Sequence, residues 1–175
     1  MIIMVLSVKA PRRQKNRISE ATFEGKFGKG LKVRGLYSWH TSDQFKPGVP
    51  DRYVVGGNWI EFKAIPYTGK RAITPERFLS PAQKNELTRL HESGDRAWVC
   101  ILFQPEQGEA TVMLCPWVVL RDKGQMTRAE IEDASLACGT AAALQWVIDT
   151  RFNLNDERYS VYHDWAFHPY GGSGQ

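Results

Sequence analysis

The stretch PGVPDRYVVGGNWIEFKA, residues 47–64, decides how this chain folds. RYVV and WIEFKA are short apolar runs on either side of Gly56-Gly57-Asn58, which reads as two strands around a tight turn. Asp51 follows Pro50 at the mouth of the first run, and Glu61 and Lys63 lie inside the second. Side chains alternate across a strand, so Glu61 and Lys63 share a face, about 7 Å apart. A three-residue loop over Gly56-Gly57-Asn58, of the kind that uses glycine or asparagine at positive φ, predicts the pairs Val55–Trp59, Tyr53–Glu61 and Asp51–Lys63. Asp51, Glu61 and Lys63 then converge on one face. Val54, Ile60, Phe62 and Ala64 line the other, with Arg52 at its end. A slip of one residue would carry Asp51 to the wrong side.

Three charges on a mostly apolar hairpin are costly to bury without compensation. A divalent cation supplies it. Two carboxylates with a peptide carbonyl and water suit Mg²⁺. Such an ion polarises a phosphate oxygen and lowers the pKa of bound water. An adjacent ammonium stabilises the charge that builds on phosphorus. The competing reading is a surface hairpin with a cross-strand Asp–Lys pair, worth under about 1 kcal/mol.

Outward from the hairpin, Ser19 predicts an N-cap for a helix from Glu20, with Phe23, Phe27 and Leu31 on one face. Gly25, Gly28 and Gly30 weaken that helix. VRGLYSWH, 33–40, reads as a strand, and 65–79 as a polar, basic loop. Ser80-Pro81 predicts a second helix start, with Leu87 and Leu90 inward and Gly94 at the end. AWVCILFQ (97–104) and ATVMLCPW (110–117) are strands. Thr127 with Glu130 forms a capping box for a helix reaching about Val147, with a break near Gly139. The whole predicts an α/β (α+β) domain around a central mixed sheet.

Composition sets the limits. The chain has 175 residues, 24% charged, with net charge +4. Its basic residues concentrate between Lys9 and Arg34, with a second group at Lys63, Lys70, Arg71 and Arg77. That asymmetry favours a nucleic-acid partner more than the total charge does. Cys100, Cys115 and Cys138 have no paired spacing, which argues against a disulfide framework and for a reducing compartment. His40, His91, His163 and His168 form no zinc-type set. MIIMVLSV lacks the flanks of a signal peptide, and no run has the length of a membrane span. The expectation is a cytoplasmic protein.

At these residues the chain resembles the PD-(D/E)XK, or restriction-endonuclease-like, nucleases. Pro50-Asp51 matches the PD, and Glu61-Phe62-Lys63 the (D/E)XK. Gly48 before it, and LSPAQ-x6-L-x3-G from Leu79 to Gly94 after it, look like the VRR-NUC branch and phage Holliday-junction resolvase-like nucleases. The resemblance covers roughly residues 19–104. It implies a restriction-endonuclease-like core, with metal-binding carboxylates at Asp51 and Glu61 and a catalytic lysine at Lys63. It implies a further metal-binding glutamate on the first helix, best matched by Glu20 with Glu24 as the alternative. It implies a catalytic glutamine at Gln83 near the scissile phosphate.

The function expected is a Mg²⁺-dependent endonuclease, with Mn²⁺ able to substitute, cutting branched, flap or Holliday-junction DNA. Lys29, Lys32, Arg34, Lys70 and Arg71 would grip the phosphate backbone. Junction cutting favours a homodimer, and the compact chain is in keeping with a phage-encoded enzyme. A restriction-like, nicking or RNA-cleaving nuclease of the same fold stays open, as does a non-catalytic nucleic-acid-binding module. The expected layout is an N-terminal arm (1–18), a nuclease core (19–117), a C-terminal helical extension (118–170) and a glycine-serine tail (171–175).

Overall fold

A computed structural model describes residues 17–41, 46–67, 72–105 and 109–152. It is a mixed α/β fold around one six-stranded sheet. Ser19 opens α1 (Glu20–Val33), its side chain accepting from the Thr22 N–H. β1 (Ser38–His40), β2 (Arg52–Val54) and β3 (Asn58–Tyr67) follow, then a 3₁₀ turn (Pro75–Arg77) and α2 (Pro81–Glu92). β4 (Arg96–Pro105) and β5 (Thr111–Pro116) lead to α3 (Trp117–Lys123), α4 (Arg128–Ala134), β6 (Ala137–Cys138) and α5 (Thr140–Phe152). The strands lie in the order β1-β2-β3-β4-β5-β6. β3 and β4 are parallel, because α2 carries the chain back between them, and every other neighbour is antiparallel.

The hairpin differs from expectation in register. Val54 pairs with Asn58, Tyr53 with Trp59 and Arg52 with Ile60, a shift of two residues. The loop is therefore Val55-Gly56-Gly57. Gly56 and Gly57 take φ 108° and 81°, which L side chains disfavour. Asn58 does not turn the chain. It is fully buried, and its Oδ1 accepts from Trp98 Nε1 at 2.8 Å. A shift of two preserves side-chain parity, so Glu61 and Lys63 keep the face expected of them.

Each face of the sheet has its own core. On one, Phe23, Phe27 and Leu31 of α1 pack with Ile60 and Phe62, and α5 adds Leu144 and Val147. On the other, Leu87 and Leu90 of α2 pack with Val99 and Ile101, joined by Val119 and Ile131. Cys100 and Cys115 are buried thiols, one on each side. Residues 118–152 thus build both cores and add a strand. The expected long helix from 128 stops at Ala134. The following segment is captured by the edge of β5, Leu136 N–H donating to the Leu114 carbonyl and Gly139 N–H to that of Val112. The first strand is also shorter than expected, because α1 extends to Val33. β3 by contrast runs on to Tyr67. Among the described residues, no helix is long and apolar enough to cross a membrane.

The glycines of α1 divide in purpose. A Cβ on Gly28 would stand 2.6 Å from the Arg52 guanidinium, whereas one on Gly25 would meet nothing within 4 Å. Gly25→Ala should therefore raise stability by about 0.5–1 kcal/mol through helix propensity. Gly28→Ala should lower it despite the same propensity gain, because Arg52 must move. Chemical denaturation of the two variants side by side checks this.

Candidate functional site

β3 carries Glu61 and Lys63 from the sheet's interior towards one edge of the α2 face. Glu61 is 0% exposed and Lys63 7%. Burial at that level demands partners. Glu61 Oε1 accepts from Lys63 Nζ at 2.8 Å and from Gln83 Nε2 at 2.5 Å. Gln83 can hold that position because its own Oε1 accepts from the Ser80 N–H at 2.9 Å, inside the capping box that starts α2. One carboxamide thus caps a helix and braces a carboxylate. Glu61 Oε2 is buried and has no hydrogen-bond partner.

Asp51 lies one residue before β2 begins. The chain has left the ladder here, and its carbonyl accepts from the Thr41 N–H at 2.9 Å instead. The Asp51 side chain fills the gap in the ladder, with Oδ2 accepting from the Phe62 N–H at 2.7 Å. This bond fixes the aspartate against β3 at Phe62, the residue between Glu61 and Lys63 in sequence, near enough for both charges to feel it. Glu20, in the first turn of α1, approaches from the other layer. Its Oε2 is 3.5 Å from Lys63 Nζ, and its Oε1 accepts from the Ala64 N–H at 3.4 Å.

The electrostatics follow from burial. Desolvation, and then the neighbouring Asp51 charge, push the Glu61 pKa up to about 7. Burial also raises that of Asp51, against the Phe62 N–H and Lys63, which pull it down. Burial alone would lower the Lys63 pKa, but Glu61, Glu20 and Asp51 outweigh it and hold the ammonium above its usual value. The site therefore carries more negative charge than its one ammonium settles. Two strained carboxylates and an orphaned oxygen, Glu61 Oε2, form a donor set that fits a hard divalent cation held by Asp51 and Glu61. Among the described residues no group of three or more His, Cys, Asp or Glu side chains is arranged to hold a metal. Water and substrate oxygens would have to complete the shell, as Mg²⁺ tolerates. Glu20 stands beside Lys63.

Of the residues expected to grip nucleic acid, Lys29 and Lys32 are exposed on α1, and Arg34 is exposed at its C-cap, with Nη1 donating to the Gly30 carbonyl at 3.3 Å. Lys29 and Lys32 line a cavity of about 370 Å³ with Tyr37 and Arg52. Lys70 and Arg71 lie outside the described residues. Two features escaped the sequence reading. Glu24 is buried and accepts from Arg52 Nη2 at 2.5 Å, with His40 Nδ1 3.2 Å from the same oxygen. Its signal was the charge of Arg52 on an otherwise apolar strand face. The second is a row of aromatic rings in tilted and edge-to-face contact, Tyr37, Trp39, Tyr53 and Trp59, running from just before β1 across β2 to β3. Tyr37 and Trp39 are neighbours on one strand run, but Trp39 meets Tyr53, and Tyr53 meets Trp59, only through strand pairing.

No protein-family model matches this chain, and no curated protein matches its sequence significantly.

The raised Glu61 pKa has a consequence for stability. The folded form keeps a proton that the unfolded form releases between pH 4.5 and about 7. The stabilisation is fully present below the unfolded value and is lost as pH rises through the folded one. In metal-free buffer, the melting temperature of the native chain should fall between about pH 5 and pH 8. Glu61→Gln should flatten that slope, by about 5 °C or more across the interval. Calorimetry on both proteins in chelator measures it, and Mg²⁺ added to the native chain at the upper pH should restore stability.

Proposed function

We propose that the protein is a divalent-cation-dependent endonuclease of the PD-(D/E)XK kind, with a restriction-endonuclease-like core, that hydrolyses phosphodiester bonds in DNA. The observation that supports this most is the approach of Asp51, from just before β2, to the Glu61–Lys63 pair on β3, with Glu61 Oε2 buried and unsatisfied. Pairing Asp51 with the Phe62 N–H orders that geometry before any ligand arrives.

Asp51 and Glu61 would hold a divalent ion, which when bound polarises the phosphate and acidifies a water molecule. Lys63 stays protonated under the influence of its carboxylate neighbours, so it can donate to a phosphate oxygen and stabilise negative charge in the transition state. Glu20 limits where the Lys63 amine can swing, through its contact at 3.5 Å. Gln83 braces Glu61 through its hydrogen bond to Oε1. The exposed amines of Lys29 and Lys32 on α1 supply attraction to a phosphate backbone. With both cores used up in a single sheet, the described residues hold no separate sequence-reading unit. That favours recognition of branched or flapped DNA by shape.

Asp51→Asn and Lys63→Ala should each reduce cleavage by about 10³-fold or more, while DNA affinity in chelator stays within about threefold. Chelator should abolish cutting by the native chain, and Mg²⁺ or Mn²⁺ should restore it. A panel of Holliday junction, flap, linear duplex, single-stranded DNA and RNA, scored on denaturing gels, measures both effects. Cutting that survives in Asp51→Asn, or in chelator, would remove the assignment.

A further inference from the structure

The ring row begins two residues from Glu61 on the same strand face. Trp59 contacts Tyr53 at 4.7 Å between centroids, Tyr53 contacts Trp39 at 4.6 Å, and Trp39 contacts Tyr37 at 5.6 Å. Trp59 is anchored, its Nε1 donating to Asp95 Oδ2 at 3.1 Å. Exposure then grows with distance from the carboxylates. Trp59 and Tyr53 are half-buried, Trp39 is 43% exposed and Tyr37 69%. Folding alone gives no reason to leave two large rings facing water at the end of a row of ring contacts.

The surroundings say what could cover them. Tyr37, at the sheet edge, also lines the cavity of about 370 Å³ on the α1 face, whose other walls include the exposed Lys29 and Lys32 and the Arg52 that Glu24 pairs. The row thus ends at the β1 edge of the sheet, around which that basic hollow opens on the α1 face, and its other end lies two residues along β3 from Glu61. Aromatic rings on one side of that edge and the Lys29 and Lys32 amines around it match a strand of nucleic acid passing over the edge, with bases for the rings and phosphates for the cations. Strands lie about 4.8 Å apart, so Trp39 is roughly 10 Å across the sheet from β3, a few nucleotides' reach. Bases in a duplex have their faces covered by their neighbours and gain nothing from such a surface.

We propose that Tyr37, Trp39 and Tyr53 form a stacking platform for unpaired bases, so that the site takes DNA through a single-stranded segment beside the bond to be cut. This rests on the nuclease reading for its purpose, but its test does not. The probes are fluorescein-labelled oligothymidylate of twelve nucleotides, an abasic chain with the same number of phosphates, and a blunt duplex of equal length. Binding to the full chain is read by polarisation in chelator, where no cutting occurs.

Trp39→Ala and Tyr37→Ala should each weaken oligothymidylate binding by about tenfold, with under about twofold change for the abasic chain and the duplex. Trp39→Phe should recover most of the loss. Thermal melts confirm folding, and Tyr37, the most exposed ring of the row, provides a variant that disturbs packing least. Equal losses on all three probes, no loss on any, or no oligothymidylate binding by the native chain would overturn the platform. So would variants that bind oligothymidylate normally yet convert a dimer to monomer in sedimentation, since the rings would then join two copies. Flap cleavage by the native chain in Mg²⁺ is scored in parallel. A chain that stacks bases but never cuts keeps the platform and loses the nuclease. A chain that cuts but whose ring variants bind normally does the reverse.

Discussion

Glu61 is a carboxylate with no solvent exposure in a central strand of the sheet, and much of the structure answers the cost of placing it there. Lys63 two residues along supplies an ammonium, and Gln83 supplies an amide N–H from α2. Gln83 is available only because the Ser80 capping box fixes its other end. Even so, one oxygen of Glu61 remains without a partner. A fold that wanted stability alone would put an apolar side chain at this position, since an incompletely satisfied buried charge is among the most expensive features a core can carry. Residual strain of this kind concentrates where chemistry is done.

α1 links the two sides of the sheet. Its apolar stripe covers the face opposite Glu61, yet its first turn sends Glu20 over to Lys63. One turn later Glu24 binds Arg52, the residue next to Asp51 in sequence. Gly28 lets the helix approach the Arg52 guanidinium closely enough for that pair to form. The position of Asp51 is thereby held from two directions, by its own bond to the Phe62 N–H and by the neighbouring ion pair. A helix that looks weak in isolation is stabilised by this packing, which outweighs glycine's low propensity.

Much of this was legible in the chain. The Ser19 and Ser80 caps, the inward Phe23, Phe27, Leu31, Leu87 and Leu90, and the apolar strands β4 and β5 all follow from local chemistry and periodicity. The common face of Glu61 and Lys63 was legible too, because parity survives a two-residue error in register, whereas Asp51 stands outside the ladder and meets β3 through the Phe62 N–H. Less legible was the end of the C-terminal helix. The competition between continuing a helix and pairing with the edge of β5 is settled by a strand distant in sequence. Asn58 misled for a similar reason: asparagine beside two glycines suggests a turn, but a buried Trp98 indole held it in the sheet.

What the sequence determined by itself was therefore the identity and sidedness of the acidic and basic groups, because alternation along one strand is a local property. Only tertiary structure decided which of them touch. Glu20 reached Lys63, Glu24 was claimed by Arg52, Gln83 braced Glu61, and four aromatic residues became one row. The first three contacts join helices to strands, and their distances depend on how two helical layers settle on the sheet; the row of rings depends on which strands pair. No window of neighbouring residues contains those distances.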